Sequence, residues 1–283
     1  MKILTDSAAD LTPQDIKELG IQIAPLYINF PEEQLSAGDI TPDEFYDKLR
    51  AIYPNVPTTA MPGAGEFASF YKEADGDGDL LSLHISGGLS GTVEAARLGA
   101  EQSEQDVTVV DTMTLSGGQR FQVLAAANSA LKGLSLESIL EHLREIRAAT
   151  EVIYTLETLE YLERGGRIGR VQALAGSLLK IKPVIKVAKE DGKYSTVGSG
   201  RTLKKALNMI VSYLVEAYEV GTPLWVSVMH GQFVEQAEAL GELLREKLEV
   251  AKLEILRISP VLGVHTGPGI VGAAVVPMHL MEK

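Results

Sequence analysis

The sequence predicts an α/β protein of two domains. Residues 1–150 would hold a mostly parallel sheet flanked by helices, and residues 151–283 a mixed or antiparallel sheet with its own helices. Three observations carry this. In the first half, apolar strand-like segments alternate with helical ones, the rhythm of βαβ units. Segments such as "LLSLHIS" are apolar almost throughout, as a parallel sheet covered on both faces requires. Near "RAATEV" the rhythm changes, and "KPVIKVAKEDGKYSTVGSGR" reads as a hairpin whose Asp-Gly suits a tight turn.

Taken in order, "KILTDS" is the first strand. "LTPQDIKELG" is a short helix, with Thr12 as cap, Pro13 in the first turn and Gly20 as its end. "IQIAPLYINF" reads as one strand. "TPDEFYDKLRAIYP" repeats the Thr-Pro-acid start and stops at Pro54, and "GEFASFYKEA" is helical up to the turn "DGDGD". Strand "LLSLHIS", helix "SGTVEAARLGAEQ", strand "DVTVVDT" and helix "SGGQRFQVLAAANSALKG" complete the first half. The second half opens with strand "EVIYTLET", then "LEYLERGGRIGR" and a helical "VQALAGSLLK". The hairpin follows, then helix "TLKKALNMIVSYLVEAY", strand "PLWVSVMHG", helix "FVEQAEALGELLREKL" and strands "KLEILRIS" and "GPGIVGAAVVP". No repeat or low-complexity linker separates the halves, so the expected ligand site is a cleft between two directly packed domains.

Bulk properties exclude several function classes. With 283 residues, 45% of them hydrophobic, the chain can bury substantial cores. A net charge of -12 repels nucleic-acid phosphates. The absence of cysteine removes disulfides and thiol catalysis. The first residues lack the apolar core of a secretory signal, and Lys180, Lys182 and Pro183 interrupt the most apolar stretch. The expectation is a cytoplasmic protein with no stable membrane insertion.

Local motifs are suggestive. "HISGGLSGTVEAA" ends a buried strand in a turn of small residues. If the helix begins near Ser90, that serine is its cap, and its hydroxyl and the amides of Gly91 and Thr92 would face one point, where a helix N-terminus favours an anion. A capped helix after a tight turn is the plain structural alternative. The spacing matches neither a Walker loop nor G-x-G-x-x-G, so no nucleotide cofactor is expected. "PTTAMPGAGEF" reads as a helix-entry loop carrying Thr58 and Thr59. "YLERGGRIGR" sets Arg164, Arg167 and Arg170 around two glycines, which suits either a carboxylate or a helix C-terminus. "GVHTGPGIVG" places His265 in a glycine-rich turn, and His84 reads as a core residue. Asp6 and Asp10 are spaced D-x-x-x-D, unlike a phosphatase D-x-D, and no metal site is expected.

Together these segments resemble the DegV family, which includes bacterial fatty-acid-binding proteins of the FakB type. "ILTDSAADL", "TTAMPGAGEF", "HISGGLSGTVEAA", "VVDTMTLSGGQ", "YLERGGRIG", "GRTLKKAL" and "HTGPGIVG" occur in family order across nearly the whole chain. The resemblance implies two α/β domains and one long-chain fatty acid, such as palmitate, stearate or oleate. Its carboxylate would lie near the domain interface and its tail would be buried. It implies that Ser90 and Thr59 bind the carboxylate, with Gly91 beside them, and that Arg167, His265 and Arg201 lie near the head group. The family's assigned role is to present the acyl carboxyl to a fatty acid kinase for acyl-phosphate formation. This chain departs from the family where "TTAMP" replaces the usual T-S-Q-P, leaving Ala60 and Met61 without the expected polar groups. On this reading the chain is a carrier, not an enzyme, with no catalytic residue, metal or cofactor. The alternatives are an enzyme acting on a small phosphorylated or carbonyl substrate through His265, and a regulatory interaction module.

Overall fold

The computed structural model describes residues 1–74, 79–175 and 181–282, with only the backbone of 174 and 175. Most of the expected "DGDGD" turn and the end of the "VQALAGSLLK" helix, residues 176–180, lie outside the described residues. Strand β1 (Lys2–Asp6) runs through a 3-10 turn into helix α1 (Pro13–Leu19) and strand β2 (Gln22–Ala24). Strands β3 (Tyr27–Asn29) and β4 (Gln34–Ser36), helix α2 (Pro42–Ala51), strand β5 (Thr58–Ala60) and helix α3 (Ala64–Glu73) follow. Then come β6 (Leu80–His84), α4 (Thr92–Glu101), β7 (Val107–Asp111), α5 (Ser116–Leu131) and α6 (Leu136–Ala149). The second half contains β8 (Glu151–Leu156), α7 (Glu160–Arg164), α8 (Gln172–Ala175), β9 (Lys182–Val187), β10 (Tyr194–Gly200) and α9 (Leu203–Ala217). It closes with β11 (Leu224–His230), α10 (Val234–Lys247), β12 (Val250–Arg257), α11 (Pro260–Thr266), β13 (Ile270–Pro277) and α12 (Met278–Met281).

Caps explain where the first helices start. Thr12 and Thr41 each accept the backbone N–H three residues on, Asp15 and Glu44 reach back to them, and a proline follows each cap. Four elements depart from the sequence expectation. "IQIAPLYINF" is two strands in different sheets, broken around Pro25, which has no N–H to give a ladder. The "PTTAMPG" segment contains β5, which pairs with β3, rather than a loop alone. Helix α6 has no counterpart among the elements expected from the sequence. Residues 260–266, with His265, form α11 rather than a turn.

The first sheet, ordered β2-β1-β6-β7, is parallel throughout. The second, β10-β9-β8-β13-β11-β12, is mixed, with only β11 and β12 parallel. A small antiparallel sheet, β4-β3-β5, lies apart from both. The expected fold class is therefore the observed one. In the second sheet the period of two sorts side chains cleanly. Trp225 and Met229 of β11 enter one core, and Leu224, Val226 and Val228 enter the other.

Helix α5 packs against β1 and β6 of the first sheet and against β8, β11 and β13 of the second. It is buried nearly all round, as a helix without a polar face must be. Helices α3 and α4 cover the far side of the first sheet, and α9 and α10 the far side of the second. Arg120 of α5, 3% exposed, pairs with Asp15 and with Glu254 of β12, so a buried charge is answered from both halves.

The glycines of "SGGLSG" also serve packing. A Cβ on Gly88 would sit 2.6 Å from the Asp191 carbonyl oxygen and 3.1 Å from the Gly192 carbonyl carbon, in the β9–β10 turn. Ser86 Oγ donates to the Gly192 carbonyl at 2.8 Å. The hairpin of the second sheet thus rests directly on the turn that leads to Ser90. Gly88→Ala forces backbone apart at this contact and should destabilise the fold by about 1–3 kcal/mol in urea unfolding. A wild-type midpoint and slope would contradict the docking.

Candidate ligand-binding site

Ser90 does not cap α4 as expected; the N-cap is Gly91. Ser90 stands one residue earlier, where its Oγ accepts the Thr92 N–H at 3.3 Å and lies 2.7 Å from Thr92 Oγ1. The expected neighbourhood survives: serine, Gly91 and the positive end of a ten-residue helix adjoin one cavity. Thr59 reaches the same cavity from β5, where its backbone faces Ile28 of β3. His265 enters from the last turn of α11, with Nε2 2.9 Å from Thr59 Oγ1.

The three arginines of "ERGGRIGR" separate. Arg164 ends α7 and pairs with Glu160 at 2.7 Å. Arg170 pairs with Asp191 at 2.9 Å. Only Arg167 lines the cavity, while one of its guanidinium nitrogens donates to the Gly165 carbonyl at 2.8 Å. Arg201 is not among the lining residues. It follows the seven-residue strand β10, whose first residue, Tyr194, does line the cavity. At ~3.3 Å per residue that separation is roughly 20 Å, and Arg201 is exposed on the surface. The structure therefore brings together Thr59, Ser90, Gly91, Arg167 and His265 and leaves Arg201 out.

The cavity is about 370 Å³, within the range of small-molecule sites. Its polar wall is Thr59, Ser90 and His265; its apolar wall includes Leu26, Ile85 and Val261. Tyr194 and Leu262 line it and also line a second, almost wholly apolar cavity of about 30 Å³. Leu115, Val152, Met229 and Ile270 help enclose that inner space, at the N-terminal end of α5. Tyr194 and Leu262 gave no sign of this position in the sequence.

Burial, aided by the nearby Arg167 charge, pushes the His265 pKa down to about 4, so the ring is neutral near pH 7. Nδ1 makes no hydrogen bond among the described residues. A proton there would be a buried donor without an acceptor, so the proton belongs on Nε2, which donates to Thr59 Oγ1. Thr59 then keeps its own hydroxyl proton for a ligand. Among the described lining residues, Arg167 alone carries a charge.

The other candidates serve the fold. Asp6, His84 and Ser82 form a fully buried chain, with Asp6 Oδ2 3.0 Å from His84 Nδ1 and His84 Nε2 2.7 Å from Ser82 Oγ. The residue types are those of a hydrolase triad, but none of the three lines the cavity, and Asp6 is held by the N–H groups of Ala8 and Ile85. Asp10, left-handed at φ 50°, accepts from Ser116 Oγ at 2.6 Å and from the Ser259 N–H at 2.7 Å. Burial pushes its pKa up to about 7. The two aspartates have separate partners, and among the described residues no group of three His, Cys, Asp or Glu could hold a metal.

A family model described as "Uncharacterised protein, DegV family" matches residues 1–278. The chain belongs to the DegV family. A DegV domain-containing protein of Deinococcus radiodurans is 34% identical over 275 residues, 97% of this chain and 95% of the relative. Among solved structures, a DegV family protein from Thermus thermophilus, described by its fatty acid binding, superposes with a TM-score of 0.90 at 36% identity, covering 98% of this chain and 99% of that one. A stearic acid-binding protein from Eubacterium ventriosum gives a TM-score of 0.89 at 27% identity, covering 99% of each chain. The DegV architecture thus extends over the whole chain, including both sheets.

The depressed His265 pKa has a signed consequence. The folded ring binds its proton less tightly than the unfolded one, so this group lowers stability as pH falls from 6.5 to about 4. Asp10, raised from 3.8 to about 7, lowers stability as pH rises through that window, so a global pH–stability curve mixes opposite terms. Ring NMR isolates the histidine: His265 should remain neutral at pH 5.5 and titrate near 4. An ordinary value of about 6.5 would refute the dry environment argued here.

Proposed function

We propose that this DegV protein is a cytoplasmic carrier that holds one long-chain fatty acid between its two domains, residues 1–150 and 151–283. The observation that carries the reading is a convergence. Hydroxyls from two separate segments, Thr59 and Ser90, meet Arg167 in one cavity whose remaining wall includes apolar Leu26, Ile85, Val261 and Leu262, and Tyr194 and Leu262 also line a second, apolar cavity. The carboxylate accepts hydrogen bonds from Ser90 and Thr59, with Gly91 at the helix end beside it, while Arg167 supplies the countercharge and His265 orients Thr59. The acyl chain runs inward. Family members with solved structures are described as binding fatty acids, which supports the same ligand class.

The magnitudes divide the work. Each charge-assisted hydrogen bond contributes about 1.5–3 kcal/mol. A tail of ~14 methylenes contributes about 11 kcal/mol before the entropy of ordering it. The tail therefore dominates affinity and the head group sets direction. His265 Nε2 is engaged with Thr59, and its remaining nitrogen, Nδ1, is buried with no hydrogen-bond partner among the described residues and belongs to a ring whose pKa is pushed down to about 4, which makes it a poor general base and disfavours the enzyme reading. We further propose that the held carboxyl is presented to a fatty acid kinase, which makes the acyl phosphate.

Mass analysis of gently purified protein should find a co-purified fatty acid, and delipidated protein should bind palmitate. Protein that contains none and refuses palmitate would defeat the carrier reading. Ser90→Ala and Thr59→Ala should each weaken palmitate binding by about tenfold or more. Arg167→Ala should weaken palmitate more than hexadecanol, since the alcohol lacks the charge that arginine answers; equal losses would make Arg167 merely structural.

A further inference from the structure

Of the described residues lining the polar cavity, Met61, Gly91 and Arg167 are the exposed ones and so form its rim. Two of these have a place in carboxylate binding. Met61 does not, yet it is a large apolar side chain, 42% exposed, beside the hydroxyls of the site. Its neighbours account for the position. Its Cε and Sδ lie 2.9 and 3.2 Å from where a Cβ on residue 91 would be, so the thioether lies flat across Gly91 and depends on the missing side chain there. Its Sδ is 4.0 Å from Thr92 Oγ1, which in turn is 2.7 Å from Ser90 Oγ. Met61, exposed at the rim, therefore packs beside the Ser90–Thr92 hydroxyl pair, while Thr59, two residues earlier, offers its hydroxyl from β5.

We propose that Met61 is a lid over the carboxylate end that sets how fast a fatty acid enters and leaves. The inference rests on the carrier reading above. A methionine side chain has three rotatable bonds and no fixed branch, so it can swing aside for a passing ligand and settle back. Its apolar surface offers water no replacement hydrogen bonds, and a drier site strengthens those that Ser90 and Thr59 make to the carboxylate. The rim thus pairs a charge that draws the head group in with an apolar cover that keeps it there.

Stopped-flow exchange of palmitate between the protein and excess phosphatidylcholine vesicles reads both rates. Met61→Ala should release palmitate about tenfold faster and also bind it faster, so that Kd changes less than either rate. Met61→Leu, which keeps the apolar bulk, should stay within about threefold of wild type. Unchanged rates in Met61→Ala, or release from Met61→Leu as fast as from Met61→Ala, would overturn the lid alone. Failure of the wild-type protein to bind palmitate would overturn the carrier reading and the lid with it.

Discussion

The burial of helix α5 on both sides is the constraint on which the remaining architecture depends. A helix normally keeps one face for water. This one has the parallel sheet on one side and the mixed sheet on the other, so each half of the chain completes the core of the other. Gly117 and Gly118 bring its first turn against Ala274 and Val152 of the second sheet. The same end of the helix contributes Leu115 and Ser116 to the inner apolar cavity. The contact that joins the halves and the wall of the inner cavity are therefore one structure.

A second contact acts at the other end of the site. The β9–β10 hairpin rests on the Ser86–Ser90 turn through Gly88 and the Ser86 hydroxyl, and the strand leaving that hairpin begins with Tyr194. One element thus braces the loop that carries Ser90 and, through Tyr194, lines both cavities. Electrostatics agree with this division. Burial keeps His265 neutral, so the charge at the polar end is concentrated on Arg167 at the rim, while the inner wall is hydrocarbon. A long amphiphile with one anionic end matches that gradient better than a small polar substrate would.

Much of the fold was legible because local rules were obeyed. Capping threonines, Pro at the first helical turn and apolar runs marked β1, α1, α2, β6, α5 and the β9–β10 hairpin where they are found. The misses have physical causes. Pro25 divides an apolar run whose two pieces join different sheets, and strand pairing is not written in a strand's own residues. The amphipathic α6 buries Ile139, Leu143 and Ile146, a stripe whose burial depends on the partners that α5 and β13 bring to it. His265 sits among glycines that resemble a turn, but Pro260 at the first helical position and the packing of α11 against α2 and α7 make that segment helical.

The sequence by itself determined the secondary-structure rhythm and the class of each half, and of the six residues its motif combination singled out, five line the polar cavity. Those depend on chemistry encoded within a few neighbouring residues: a hydroxyl before a helix, an arginine among glycines. Only the tertiary structure decided that Arg201 lies a strand's length from the cavity, that Tyr194 and Leu262 line both the polar and the apolar cavity, and that Met61 packs against Gly91. Packing depends on which distant segments arrive at the same place, and a leucine buried in a core has the same local sequence signature as a leucine facing a cavity.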